Sequence, residues 1–74
     1  MMIADKFVAA KISELMIRQG KELNESVGMV KSSCSEEEFV IYQKAIGKIM
    51  GCILLDVMNP LYKMHPELKP KKLL

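Results

Sequence analysis

Residues 46 to 58 read IGKIMGCILLDVM, the most apolar stretch of this 74-residue chain. Gly47 and Gly51 lie four residues apart within it, although the surrounding residues are typical of a helix. A glycine destabilises a helix interior by about 1 kcal/mol relative to alanine. We therefore expect a structural reason for both glycines, namely a helix surface that another backbone approaches closely. The alternative is that they are tolerated without a role.

This stretch belongs to a helix whose start lies in the segment SSCSEEEF, residues 32 to 39. Ser35 and Glu38 have the spacing of a capping box, and the acidic residues around Glu38 suit the positive end of a helix dipole. Pro60 is unfavourable in a helix interior, and Asn59 is a good residue for starting a new turn. We predict a helix over about residues 36 to 59 that stops or kinks at Pro60. A short turn and an extended basic tail would then occupy residues 60 to 74.

An earlier helix is predicted over about residues 5 to 32, where apolar residues recur every three or four positions and charged residues occupy the other side. A turn over residues 32 to 35 then joins two helices of similar length. Helices joined by so short a connection fold back on each other. The sequence thus predicts an all-α fold, an antiparallel two-helix hairpin, with residues 1 to 74 as a single domain.

In such a hairpin, residues whose numbers sum to about 67 lie at the same level. Gly20 would then face Gly47, and Gln43 would lie near Asn24, where the two amides either pair and set the register or both reach solvent. The predicted hairpin core comprises Ile12, Met16, Gly20, Leu23, Val27, Val30, Phe39, Ile46, Met50, Ile53 and Val57.

A second apolar row runs beside the core row on the second helix, and a lone hairpin has nothing to cover it. Half of the residues are hydrophobic, which is a large share for a chain with so little interior. We therefore predict a homodimer that forms a four-helix bundle, without a prediction of its parallel or antiparallel sense. The predicted dimer interface comprises Val40, Gly47, Gly51, Leu54, Leu55, Met58 and Tyr62.

No catalytic, cofactor-binding or metal-binding residues are predicted, and we expect the protein not to be an enzyme. Its single histidine, His65, has no second ligand nearby in the sequence. Cys34 at the turn and Cys52 in the second helix would be roughly 27 Å apart, too far for a disulfide within one hairpin. Cys34 is either a reactive thiol at the turn or a small structural residue, and the second reading is favoured.

The formal net charge is +2, too small to indicate nucleic-acid binding by itself. Lys63, Lys69, Lys71 and Lys72 form the basic tail. The longest uncharged apolar run, residues 49 to 55, is much shorter than the roughly 20 residues of a membrane span. No signal peptide is recognisable. We expect a cytoplasmic protein with no membrane span.

Residues 35 to 70 read SEEEFVIYQKAIGKIMGCILLDVMNPLYKMHPELKP. This segment resembles the second half of a group of short bacterial proteins of uncharacterised function. The shared pattern is an acidic start with Phe and Tyr, a G-x-x-x-G segment, then P-L-Y and H-P-E-L-K-P. The resemblance implies a bacterial protein and no particular activity. In size and helical character the chain is also similar to small dimeric immunity proteins that neutralise toxins, an analogy that no motif supports.

Three functions fit these expectations. The favoured one is a non-enzymatic protein-interaction module, such as a small adaptor, regulator or immunity-type protein, that binds itself and another protein. The second is a structural or assembly subunit. The third, and the least favoured, is a small dimeric nucleic-acid-binding protein that uses the basic tail.

Overall fold

The computed structural model describes residues 2 to 70. Its elements are α1 (Lys6–Ser33), α2 (Glu36–Cys52), a six-residue π-helical stretch that we call the π segment (Ile53–Met58), α3 (Asn59–Met64) and a 3₁₀ turn (Pro66–Leu68). α1 packs against α2 and against the π segment. The predicted all-α helical hairpin is confirmed.

Both long helices begin at a side-chain cap. The Asp5 carboxylate accepts a hydrogen bond from the backbone N–H of Val8 at 3.0 Å, which satisfies a free donor in the first turn of α1. At the start of α2, the N–H of Glu38 donates to the Ser35 hydroxyl oxygen at 3.2 Å, and the N–H of Ser35 donates to the Glu38 carboxylate at 3.0 Å. The predicted capping box is thus formed. It places the start of α2 directly after the turn.

The hairpin is long and thin. Its extents are 44 × 18 × 17 Å, and its radius of gyration is 14.5 Å. A compact domain of this length would have a radius of gyration of about 11 Å. Two helices side by side bury only one stripe of each, so little of the apolar content reaches the interior.

The fully buried core lies at the open end of the hairpin, far from the turn. Ala9 of α1 packs there with Met58, Leu61 and Tyr62, and none of the four is more than 6% exposed. Side chains from both ends of the described chain cover this cluster, among them Ile3 and Leu68. Toward the turn, Ile46 is the only buried hydrophobic residue among residues 2 to 70 that lies outside this cluster.

Of the two outcomes predicted at Pro60, a stop or a kink, the stop does not occur. The helical path continues from α2 through the π segment into α3, and Pro60 occupies the first turn of α3. In the π segment the N–H of Asn59 donates to the Leu54 carbonyl five residues earlier, one residue further back than in an α-helix. This wider turn relieves the clash that a proline ring makes with the preceding turn of a regular helix.

The π segment also corrects the predicted dimer row. An extra residue in one turn rotates everything after it by roughly 100°, because one residue of an α-helix spans that angle. A continuous α-helix would have placed Met58 and Tyr62 beside Val40 and Gly47. Instead both are turned onto α1 and are 6% exposed in the core. Their assignment to a dimer interface was therefore wrong.

Two hydrogen bonds between serine and tyrosine cross the hairpin. The Ser13 and Tyr62 hydroxyls lie 2.6 Å apart and are buried, and the Ser26 and Tyr42 hydroxyls lie 2.8 Å apart in a partly buried position. The Ser26 hydroxyl donates its single proton to the Leu23 carbonyl, so Tyr42 donates to Ser26. These bonds connect α1 to the second half of the chain near both ends of the hairpin.

Asn24 and Gln43 were predicted either to pair across the hairpin or to reach solvent. Both are exposed, in agreement with the second alternative. The register is instead marked by the partly buried Ser26–Tyr42 pair, which lies within one residue of the predicted level. A tyrosine hydroxyl reaches across a helix contact while its ring remains in apolar surroundings. A short amide at the edge of the seam has no such reach.

From His65 to Leu68 the chain folds back onto the core, so the extended tail predicted for this segment is wrong. His65 is 8% exposed, and its Nε2 lies 2.7 Å from the Ile3 carbonyl oxygen. Because a carbonyl only accepts, Nε2 carries the proton and donates it. The 3₁₀ turn then brings Leu68 back onto the core cluster. Lys71 and Lys72 of the predicted basic tail lie outside the described residues.

The glycines do not mark a close contact within the hairpin. An added Cβ atom at Gly20, Gly28, Gly47 or Gly51 would have no atom of a neighbouring element within 4 Å among the described residues. The expected close approach of Gly20 and Gly47 is therefore wrong.

Acidification is expected to weaken the start of α2 through Glu38. The hydrogen bonds from the Ser35 backbone and then the Ser35 side chain hold the pKa of Glu38 below its ordinary value of 4.5. The folded state therefore binds fewer protons than the unfolded state, and this contribution is present above the ordinary pKa and lost as pH falls through the folded one. Glu38→Gln keeps an accepting oxygen but cannot titrate. Its free energy of unfolding, measured with urea at a series of pH values, should fall less on acidification than that of the wild type.

The control for this prediction is Glu37→Gln, which removes the adjacent carboxylate and leaves the capping box intact. This variant should keep the part of the pH dependence that belongs to Glu38. Equal pH dependence in the wild type and Glu38→Gln would contradict a role of this carboxylate in stability.

Removing the Tyr62 hydroxyl is expected to destabilise the protein more than removing the Tyr42 hydroxyl. Tyr62→Phe leaves the buried Ser13 hydroxyl without its partner, which typically costs about 1–3 kcal/mol. In Tyr42→Phe, Ser26 keeps its bond to the Leu23 carbonyl, so we expect about 0.5–1 kcal/mol. Denaturant unfolding followed by circular dichroism measures both values. A larger loss of unfolding free energy in Tyr42→Phe than in Tyr62→Phe would contradict the greater contribution of the buried hydrogen bond.

Candidate interaction surface

The predicted hairpin core and the predicted dimer interface occupy different environments. Ile46 is buried at 5% exposure, and every other member of the predicted core is half-buried. In the predicted dimer row, five residues remain accessible after the correction for Met58 and Tyr62. We call these five residues the glycine face: Val40, Gly47, Gly51, Leu54 and Leu55.

The large side chains of the glycine face are well exposed. Val40 is 47% exposed, Leu54 38% and Leu55 64%. Gly47 is exposed and Gly51 is half-buried, and both present open space where a Cβ atom would stand. Steps of about 100° per residue place Val40, Gly47 and Gly51 within roughly 40° of one another on α2. The result is a shallow strip of mainly apolar residues whose centre is lowest at the glycines, with the exposed Lys44 at its edge.

The strip continues at its carboxyl-terminal end into an open groove. Leu55 belongs to both, because it also lines the groove formed by α3 and the chain after it. Lys63 of α3 and Lys69 beyond the 3₁₀ turn line this groove together with Pro60 and Pro66. The groove therefore combines apolar surface with positive charge.

The opposite end of the strip is acidic. Val40 belongs to the glycine face and also lines a shallow depression in the first turn of α2, together with Glu36, Glu37 and Ile41. Three acidic residues occupy this turn, and Glu38 is engaged in the capping box. Glu36 and Glu37 remain exposed beside the apolar strip. One continuous surface thus runs from the carboxylates of Glu36 and Glu37, past Lys44 and the two glycines, to the lysine-lined groove.

A further apolar row on α2 was missed by the sequence analysis. Ile41 is 70% exposed and Ile49 is 48% exposed, and Ala45 lies midway between them. Their spacing of four residues is that of one helix face, turned by roughly 140° from the glycine face. Only two apolar rows were predicted on this helix. The four-residue spacing of Ile41, Ala45 and Ile49 is the signal in the sequence that indicates the third row.

The groups that most often carry chemistry are dispersed. Cys34 and Cys52 are exposed free thiols. His65 donates to the Ile3 carbonyl, and its Nδ1 lies 3.7 Å from the Glu67 carboxylate. Within residues 2 to 70, no three His, Cys, Asp or Glu side chains are grouped so that they could hold a metal ion. The surface described above, rather than a reactive centre, is therefore the candidate site.

In the described part of the chain, no helix has the length and apolar character needed to cross a membrane. Comparisons with protein-family models, with curated proteins and with solved structures found no match to this chain. The candidate site therefore has to be interpreted from its own geometry and charge.

Proposed function

We propose that this chain is a non-enzymatic protein-interaction module that acts as a homodimer, with two hairpins packed through their glycine faces into a four-helix bundle. The observation that carries the proposal is the exposure of Val40, Leu54 and Leu55 around two glycines at which an added Cβ atom would meet open space. Within the described chain no contact offsets the helix-propensity cost of Gly47 and Gly51. A second copy would supply one, because its backbone could approach closely there.

The dimensions of the hairpin support this arrangement. One long side measures 44 Å by 18 Å, so the footprint available to a second copy is at most about 800 Å². A standard protein–protein interface buries about 800 Å² on each partner, so one side is large enough for such an interface. Pairing two such sides would also convert two thin hairpins into a thicker body with an interior at their mutual contact. This is the usual way in which two-helix units obtain a sufficient core.

The proposed role in binding another protein rests on the third apolar row. Ala45 and Ile49 lie away from the glycine face and would stay accessible in the dimer, and Ile41 continues their row to the edge of the acidic depression. An adaptor, regulator or immunity-type protein needs such a surface in addition to its dimer contact. The alternative of a structural or assembly subunit would use the same dimer, and its partner would be a further component of one assembly.

A dimer should be visible directly in solution. Size-exclusion chromatography with light scattering at micromolar concentration should give about twice the 8.4 kDa mass of the chain. A particle that stays at 8.4 kDa at every concentration would contradict the proposal.

Gly51→Leu is expected to weaken the dimer without destabilising the hairpin. Within one chain the new side chain meets open space and raises the helix propensity by close to 1 kcal/mol. At a close contact with a second copy the same side chain would cost about 1–3 kcal/mol by overpacking. Dissociation should therefore appear at a higher protein concentration than in the wild type, as measured by light scattering over a dilution series.

Ala45→Leu is the matched control, because it adds a leucine to an exposed position of α2 outside the glycine face. It should leave the dissociation constant of the dimer unchanged. If Gly51→Leu raised the thermal midpoint and kept the dimer intact, the glycines would have no role in association.

A further inference from the structure

The charges at the two ends of the glycine face point to the sense of the dimer. Its start carries Glu36 and Glu37 beside Val40, and its far end leads into the groove that Lys63 and Lys69 line. In a parallel dimer each end would meet the same end of the second copy, so that carboxylates would face carboxylates and lysines would face lysines. In an antiparallel dimer each acidic end would meet a basic groove.

We infer that the α2 helices of two copies pack antiparallel, so that the acidic start of α2 in one copy docks onto the lysine-lined groove of the other. This inference rests on the proposed homodimer and adds its geometry. The occupant of the groove is then a second copy of this chain. Both halves of the contact belong to one continuous surface, because Val40 and Leu55 connect the glycine face to the acidic depression and to the groove.

The lengths along the helix agree with this arrangement. If the two-fold axis passes midway between Gly47 and Gly51, Gly47 of one copy faces Gly51 of the other, and the two low points of the strip coincide. Glu36 lies about 13 residues before this midpoint and Lys63 about 14 residues after it, roughly 20 Å away in each direction. Glu36 therefore comes level with Lys63 of the second copy when the glycines are level.

The groove offers the start of a second α2 both of the contacts that it needs. Its apolar part, which includes Leu55 and Pro60, can cover Val40 of the second copy. Its lysines can pair with Glu36 and Glu37, which are exposed and not used by the capping box. Opposite charges at the rim of an interface select partner and orientation more than they add affinity. The charge pattern thus determines the direction in which two otherwise apolar strips combine.

The two cysteines allow the sense to be measured as a distance. Cys34 lies at the turn, is exposed and lines neither the acidic depression nor the groove, so a spin label can be attached there in a Cys52→Ser variant. In the antiparallel dimer the two Cys34 labels should be about 45 Å apart or more, because each lies about 15 residues from the two-fold axis. In a parallel dimer they would be at one level, under about 30 Å apart. Pulsed electron–electron double resonance measures the distance between the two labels and distinguishes these two ranges.

A label at Cys52 in a Cys34→Ser variant tests the dimer independently of its sense. Cys52 lies close to the proposed axis, so its pair distance should be within roughly 30 Å in either arrangement. No measurable pair distance at Cys52, together with a monomer in light scattering, would contradict the proposed dimer. A short Cys52 distance with a short Cys34 distance would keep the dimer and overturn only the antiparallel packing.

Charge reversal tests the contact between the acidic start and the groove. Lys63→Glu and Glu36→Lys should each weaken the dimer by roughly tenfold, because each variant creates two like-charge contacts per dimer. The double variant should recover to within a few-fold of the wild type, with the signs exchanged. Lys11→Glu is the matched control for Lys63→Glu: it changes the net charge by the same amount at an exposed position of α1 and should leave the dissociation constant unchanged.

A parallel dimer predicts a different effect of the variants on the dissociation constant. In it Glu36 and Lys63 each face the same residue of the second copy, so a single reversal changes both members of a pair and leaves two like charges facing each other. Unchanged dissociation constants in both single variants, or no recovery in the double variant, would overturn the charge pairing. Glu36→Lys also destabilises the start of α2 within one chain, because it places a positive charge at the positive end of the helix dipole. This effect is measured separately, as the free energy of unfolding of the monomer, and Lys63→Glu is not expected to reverse it.

Discussion

The fold depends on one widened turn. Pro60 has no N–H to donate and its ring crowds the preceding helical turn, so the helix opens into a π segment before it. The resulting rotation turns Met58, Leu61 and Tyr62 toward α1, where they form the only fully buried cluster in the described chain together with Ala9. A regular helix would have pointed Met58 and Tyr62 into the second apolar row and left the open end without these side chains.

This arrangement divides the molecule into two parts with different requirements. The open end is closed by buried side chains, by the Ser13–Tyr62 hydrogen bond and by the bond from His65 to the Ile3 carbonyl. The part toward the turn has half-buried residues, the Ser26–Tyr42 bond and the capping box. One neighbouring helix cannot cover all the apolar side chains of this part. The glycine face lies mainly along this less buried part, which is why we place the proposed association there.

Much of the architecture could be predicted because it depends on interactions between near neighbours in the sequence. The spacing of Ser35 and Glu38 located the start of α2, and the repeat of apolar residues located α1. A short turn between two long helices left only an antiparallel hairpin. The same reasoning failed at Pro60, since a steady repeat of 3.6 residues per turn was assumed through a stretch whose geometry departs from it. Two members of the predicted dimer row, Met58 and Tyr62, were misplaced for that reason.

The sequence by itself determined the helices, their order, the cap at Ser35 and the existence of more apolar surface than one hairpin can bury. These follow from local hydrogen bonding and from the periodicity of side chains. Only the tertiary structure decided which apolar residues became core, which bonds set the register, and that a Cβ atom at Gly47 or Gly51 would meet no neighbour among residues 2 to 70. These depend on the rotation of the helix about its own axis. A single wider turn changes that rotation for every residue that follows it.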